Sequence, residues 1–220
     1  MDSSSQSWEA DYVRRGRLWG GTVQFLPVLL PGSRILELGC GDGKSLIALR
    51  ERGWEPTGLD FSRHATWLCR QNSGREPVDR VITADARETP FKNSTFDVIL
   101  ATHIIGHMTM EGRTMAAGEI FRLLSPGGTL IFCGFSTRDL RHGIGENVED
   151  GTFRRGNGII THYFSREDAI ALFSSLTAVS VVYHQWSMRV RGKTLERSEI
   201  HGLFRKTPGF VEEQKRDQVL

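Results

Sequence analysis

The sequence predicts an α/β fold: a doubly wound, mostly parallel sheet with helices on both faces and a C-terminal hairpin. Three observations predict it. Short apolar segments alternate with segments of helical spacing from Ile35 to Gly134. The first apolar segment, Ile35 to Leu38, runs straight into Gly39-x-Gly41-x-Gly43 and then into a helical pattern. Near the C-terminus, Val179 to Met188 and Glu196 to Arg205 alternate like paired strands around Gly192-Lys193.

Taken in order, Trp8 to Tyr12 and Arg17 to Gly21 form an aromatic, glycine-punctuated lead-in. A helical stretch from Val23 then reaches the Pro31-Gly32 break. After the first strand, Lys44 to Arg52 has helical spacing and stops at Gly53. Pro56 to Asp60 is a short strand ending in an acid. Ser62 to Asn72 reads as a helix with Ser62 as its N-cap. Arg80 to Ala86 and Phe96 to His103 are the third and fourth strands, Arg113 to Leu124 is helical, and Thr129 to Gly134 is the fifth strand. Arg138 to Asn157 is glycine-rich, carries charges of both signs and has little periodicity, so a long functional loop is expected over 137–164. Ser165-Arg-Glu-Asp168 is a capping box with Asp in the usual Glu position, opening a helix through Leu176. Residues 208–220, charged and weakly apolar, are expected to fray.

With 220 residues, 39% of them hydrophobic, and a mean hydropathy of −0.30, the chain reads as a single soluble domain. No apolar run reaches the roughly 18 residues of a membrane span. The polar start, Met1 to Ser7, has no signal-peptide core, so a cytoplasmic location is expected. Cys40, Cys69 and Cys133 lack metal-ligand spacing and read as small buried residues in a reducing compartment; no metal is expected. The net charge of +2 includes a modest C-terminal excess: Arg189, Arg191, Lys193, Arg197, Arg205 and Lys206. That excess reads as the solvated face of the hairpin. No basic-aromatic interleaving of the kind that binds single-stranded nucleic acid is present.

The glycine turn is the richest feature. Glycines let backbone bend sharply and approach a ligand without an intervening Cβ, and the following helix offers unpaired N–H groups. A dinucleotide fingerprint needs G-x-G-x-x-G, but its third glycine would fall at Lys44. A P-loop ending in Gly43-Lys44-Ser45 would need glycine at position 38, where Leu38 stands. The whole pattern instead resembles class I S-adenosylmethionine-dependent methyltransferases. Glu37-Leu-Gly-Cys-Gly-Asp-Gly43 is similar to their first motif. Asp60, Asp85-Ala86 and the fourth strand through His103 follow in the family's order, and Leu124-x-Pro-Gly-Gly128 is similar to its entry to strand five. The resemblance covers residues 32–136 closely and the rest more loosely.

That resemblance implies a Rossmann-like seven-stranded sheet with the hairpin antiparallel at its edge, and S-adenosylmethionine as cofactor. It implies that Gly39, Cys40, Gly41 and Gly43 cradle the cofactor, that Glu37 orients its ammonium, and that Asp60, with Phe61 and Ser62, holds the ribose. Asp85 and Ala86 would read adenine. Ala101 and Thr102 would face the methyl, and Trp19 in the lead-in would cover the cofactor. His103, at the mouth of the fourth strand, is the candidate base. Tyr12, His107, His142 and Tyr163 are candidate acceptor-binding residues. His107 would share a face with His103 if 104–108 is helical. The absence of an Asn-Pro-Pro-Tyr motif and of any Pro-Cys dipeptide points to transfer onto oxygen or nitrogen of a small molecule. The rivals are a tRNA or protein acceptor, and a non-catalytic cofactor-binding regulator.

Overall fold

The computed structural model describes residues 3–16, 29–71, 80–190 and 192–208. The N-terminal helix α1 spans Ser3–Arg15. Three short β-α units follow: β1 (Ile35–Leu38) with α2 (Lys44–Arg50), β2 (Thr57–Asp60) with α3 (Arg63–Gln71), and β3 (Val81–Thr83). Then come β4 (Phe96–Thr102), a 3-10 turn at Ile105–His107, α4 (Met110–Leu123) and β5 (Leu124–Phe135). Beyond β5 lie β6 (Glu146–Glu149), β7 (Thr152–Arg154), β8 (Ile160–His162), α5 (Arg166–Leu172), β9 (Thr177–Val190) and β10 (Lys193–Arg205).

The main sheet has seven strands in the order β3-β2-β1-β4-β5-β10-β9. β1 to β5 pair parallel, and β10 pairs antiparallel with both β5 and β9. The expected edge hairpin is therefore present. β1 is buried at all four positions, the pattern of a central strand covered on both faces. The order reverses between β1 and β4, and open α/β sheets bind ligands at such a switch point, beyond the carboxyl ends of the strands. Leu36, Leu38, Ile99, Leu130, Phe132, Ile120 and Phe204 centre the larger core on one face. Ile35, Leu49, Val98 and Leu100 form a second core on the other.

Four expectations change. The stretch 137–164 is not a bare loop: β6, β7 and β8 form a separate three-stranded antiparallel sheet. Its strands are three or four residues long, too short to show an alternation between glycine turns. This sheet is pinned to α4 by Arg113, which is 3% exposed and pairs with Glu149 at 2.8 Å. The segment leaves β5 at Ser136 and returns at Phe164. Those two residues pair as a bridge, and Phe164 N–H donates to Phe135 at 2.8 Å. Second, α5 ends at Leu172 rather than Leu176, because Phe173 leaves helical geometry and Leu176 N–H closes a tight turn onto Phe173. Third, Ser125 to Gly128 belong to β5 as a bulge: Phe96 pairs with Leu124, but Val98 already pairs with Thr129. Fourth, α4 starts at Met110, where the Thr109 side chain accepts from Gly112 N–H. The lead-in from Arg17 to Val28, including Trp19, and the tail beyond 208 lie outside the described residues.

Both halves of the α5 capping box form: Ser165 Oγ accepts from Asp168 N–H, and Asp168 accepts from Ser165 N–H, each at 3.0 Å. Ser165→Ala removes one acceptor at the helix start. It is expected to destabilise the protein by about 1 kcal/mol in urea unfolding, with an unchanged m-value.

Candidate functional site

The glycine turn after β1 takes the left-handed backbone at three positions, with φ of 69° at Gly39, 54° at Gly41 and 83° at Gly43. A side chain at Gly41 would also meet the Tyr12 hydroxyl at 2.5 Å. Asp60, at the end of β2, holds the turn in place. Its Oδ2 accepts from Gly41 N–H and its Oδ1 from Ser62 N–H, both at 2.9 Å. A carboxylate has about four lone-pair sites, so two remain for hydroxyl donors. Burial pushes Asp60 up to about 6.

Glu37 lies inside β1 and is 4% exposed. Ser45 donates to its carboxylate, yet among the described residues Oε2 is buried without a partner. Burial pushes this acid up to about 8. A buried orphan acceptor is costly unless a ligand supplies a donor, and a primary ammonium fits it. The turn, Glu37 and Asp60 together match the ammonium and ribose ends of the cofactor implied by the sequence. Cys40 is buried beside Cys69, and both thiols are free. Ser62 is spent on capping, its Oγ accepting from Ala65 N–H at 2.9 Å. Phe61 is half-buried beside it.

Asp85 lies two residues beyond β3, which ends at Thr83 rather than running to Ala86; its carboxylate is partly exposed and takes two guanidinium nitrogens of Arg87, at 2.6 and 3.0 Å. Ala86 packs in the main core, as does the fully buried Ala101, while Thr102 is exposed at the end of β4. α1 overhangs the turn: Tyr12 is 7% exposed, and Glu9 accepts from His64 N–H of α3 at 3.3 Å. Burial first, then the nearby Asp60 and Asp42 carboxylates, raise the Tyr12 phenol, so it stays protonated.

His103 begins the second half of the site. It has φ of 57°, a conformation rare for residues other than glycine and concentrated at functional positions. Its ring stacks on Phe135 at 4.3 Å, and Nε2 lies 3.1 Å from Glu199 Oε1 on β10. Glu199 also meets His201 Nε2 at 3.1 Å and accepts from the Cys133 thiol at 3.3 Å. Burial alone would raise Glu199, but hydrogen bonds from His103 and His201 hold it well below the usual carboxylate range. Glu199 thus holds the Nε2 edge of the His103 ring, while Nδ1 is buried and, among the described residues, has no partner. Ligand atoms of His103, Cys133 and Glu199 lie within 4.8 Å of one another. Burial and the neighbouring Glu199 push the Cys133 thiol well up, and the three side chains form a hydrogen-bonded network.

The four acceptor-side candidates split into two flanks. His107 turns away from His103: its Nδ1 meets the Ile160 carbonyl at 2.8 Å, and its ring stands edge-on to Trp8 at 4.8 Å. Burial holds this imidazole down to about 4. Tyr12 is 6.2 Å from the same Trp8. On the other flank, Tyr163 lies 6.3 Å from Phe135, and His142 stands edge-on to Tyr163 at 5.5 Å. Phe135 and Glu199 were not singled out from the sequence. A usable signal existed for Glu199: Arg197-x-Glu199-x-His201 places three polar groups on one face of β10.

Residues 36–132 match the family model described as a methyltransferase domain. The chain is 31% identical over 153 residues to the tRNA N(3)-methylcytidine methyltransferase Mettl2 of Drosophila melanogaster, a match covering 64% of this chain and 47% of the relative. It is 29% identical over 132 residues to the 2-methyl-6-phytyl-1,4-hydroquinone methyltransferase of Synechocystis, covering 60% of this chain and 40% of that one. The chain thus spans about half the length, or less, of these curated relatives. Among solved structures, a SAM-dependent methyltransferase from Methanosarcina mazei superposes with a TM-score of 0.68 at 21% identity, covering 82% of this chain and 95% of that one. The chain has the class I S-adenosylmethionine-dependent methyltransferase fold.

The raised carboxyls give a signed pH dependence. The Glu37 acid ionises near 4.5 when unfolded but only near 8 when folded, so stability held below 4.5 is lost as pH rises toward 8. Asp60 adds a loss between 3.8 and about 6. In ligand-free protein, Glu37→Gln is expected to shrink the fall in unfolding free energy between about pH 5 and 8 by on the order of 2 kcal/mol. Parallel urea curves at the two pH values check this.

Proposed function

We propose that this chain, built on the class I methyltransferase fold, transfers a methyl group from S-adenosylmethionine to an oxygen or nitrogen of an acceptor held at the mouth of β4. The observation that carries this reading is the left-handed glycine turn flanked by two buried carboxylates with spare acceptor sites, Glu37 and Asp60. S-adenosylmethionine supplies the electrophilic methyl when bound. Glu37 takes the ammonium, Asp60 the ribose hydroxyls, and Tyr12 on α1 closes over the turn. His103 removes the acceptor's proton, and Glu199 keeps its ring oriented. Phe135, Tyr163 and His142 on one flank, with Trp8 and His107 on the other, shape the space the acceptor enters and exclude water from it.

Two acceptor classes have support. The longer and more similar curated match is to a tRNA methyltransferase, and the basic residues of β9 and β10 offer phosphate contacts, so a tRNA acceptor is the better-supported reading. The hydroquinone methyltransferase match supports the small molecule expected from sequence. Three free, buried thiols favour a reducing compartment such as the cytoplasm. Among the described residues, no helix is long and apolar enough to cross a membrane.

Calorimetric titration with S-adenosylhomocysteine is expected to show selective binding over NADH and ATP, weakened by about 1–3 kcal/mol in Asp60→Ala. Labelled methyl from the cofactor should then enter either tRNA or the low-molecular-mass fraction of a cell extract, which decides the acceptor. Binding without transfer to either would leave a regulator in place of an enzyme. His103→Ala and Glu199→Gln should spare cofactor affinity and slow transfer by roughly 10²-fold or more. A parallel loss of affinity would make the pair structural.

A further inference from the structure

We infer that Arg141 and Arg197 form an oxyanion subsite beside the reaction mouth, which takes a carboxylate or phosphate group carried by the acceptor. The inference rests on the acceptor mouth described above and narrows the acceptor to an anionic one.

Asp139 anchors the pair. Its side chain is fully buried, and it accepts from Arg141 Nε at 2.8 Å and from Arg197 Nε at 2.7 Å. Backbone N–H groups of Arg141 and Ser198 complete its shell, at 3.1 and 3.2 Å. One carboxylate therefore faces two guanidinium groups, and a positive charge is left over. Each arginine is held by its Nε edge, so its terminal nitrogens point elsewhere. Among the described residues, Arg197 Nη1 meets the weak Met188 sulfur acceptor at 3.9 Å, and Arg141 Nη2 is buried with no partner. A buried guanidinium donor without an acceptor costs free energy that a bound anion would recover. The two side chains are 21% and 14% exposed, so their charge is only partly screened.

The placement ties the pair to the chemistry. Both guanidinium groups sit over Phe135, 4.1 Å from the ring centroid for Arg141 and 5.4 Å for Arg197, and His103 stacks on the same ring. Arg155 donates to the Tyr163 hydroxyl at 2.9 Å, and Tyr163 lies 6.3 Å from Phe135, which places a further cation near the pair. Glu199, two residues along β10 from Arg197, is committed to His103, His201 and Cys133. The rigid, planar fork of arginine suits bidentate binding of a carboxylate or phosphate.

The test uses inorganic phosphate as the probe, titrated at low ionic strength into the wild-type protein, Arg141→Gln and Arg197→Gln. S-adenosylhomocysteine is titrated separately into each. Phosphate is expected to bind the wild type in the millimolar range and at least about tenfold more weakly in either variant, with cofactor-product affinity unchanged. Equal phosphate affinity in all three proteins overturns the subsite. Phosphate selectivity without S-adenosylhomocysteine binding supports the subsite and sinks the cofactor reading instead. Arg141→Lys keeps the charge and the Asp139 contact, and guards against a folding defect in Arg141→Gln. It should recover only part of the loss, and full recovery would overturn the fork geometry. Two further titrations identify the source of the anion. A drop in tRNA affinity in the same variants, with a salt slope shallower by about 1, assigns the site to a nucleic-acid phosphate. Unchanged tRNA affinity, with benzoate displacing phosphate, assigns it to a small carboxylate acceptor.

Discussion

The cofactor half of the molecule depends on one buried carboxylate. Asp60 ends β2, and its two oxygens reach the N–H groups of Gly41 in the glycine turn and Ser62 at the cap of α3. A strand end, a turn and a helix start are thereby held to one point. The geometry of the turn, which no side chain other than hydrogen could adopt cheaply at its φ values, is set by that point. Withdrawing a carboxylate from water is unfavourable, and burial raises its pKa accordingly. The backbone donors offset part of that cost. A ligand's hydroxyl donors would offset more, so the site is tensioned toward occupancy in the same way as the orphaned oxygen of Glu37.

The second half obeys a different electrostatic rule. Glu199 and Asp139 are both buried on or against β10, and both are surrounded by cations or hydrogen-bond donors. Their role is orientation: Glu199 sets the ring of His103, and Asp139 sets the edges of two guanidinium groups. Phe135 is the shared surface, touched by the imidazole and by both arginines. One aromatic ring therefore fixes the distance between the imidazole and the two guanidinium groups.

Much of the first half was legible in the sequence because its signals are local. Glu37, Gly39, Gly41, Gly43, Asp60 and the Ser62 cap lie within a short stretch of chain, and each is dictated by backbone geometry or by the end of a strand. The capping box at Ser165 was legible for the same reason. The second half was not, because it is assembled from β4, β5, β10 and the inserted sheet, whose pairing a linear pattern does not display. Arg141 and Asp139 read as loop charges until Arg197 arrives from the far end of the chain. The small sheet escaped notice because its strands are too short for a period to emerge. His103 stands out by its position at a strand mouth, whereas its left-handed backbone and its partner Glu199 on β10 arise only from the tertiary fold.

The bridge between Ser136 and Phe164 has a consequence for how such a protein can diverge. Everything from residue 137 to 163 departs from and returns to neighbouring points on the edge of β5, through two closely spaced doorposts. The closing entropy of a segment tied at its ends depends only weakly on its length. The insertion is therefore an exchangeable cassette. Its contents can be lengthened, shortened or rewritten while the register of β5 and the start of α5 stay where they are. Asp139 and Glu149, which tie the module to Arg197 and Arg113, mark the positions where such editing would reach its neighbours.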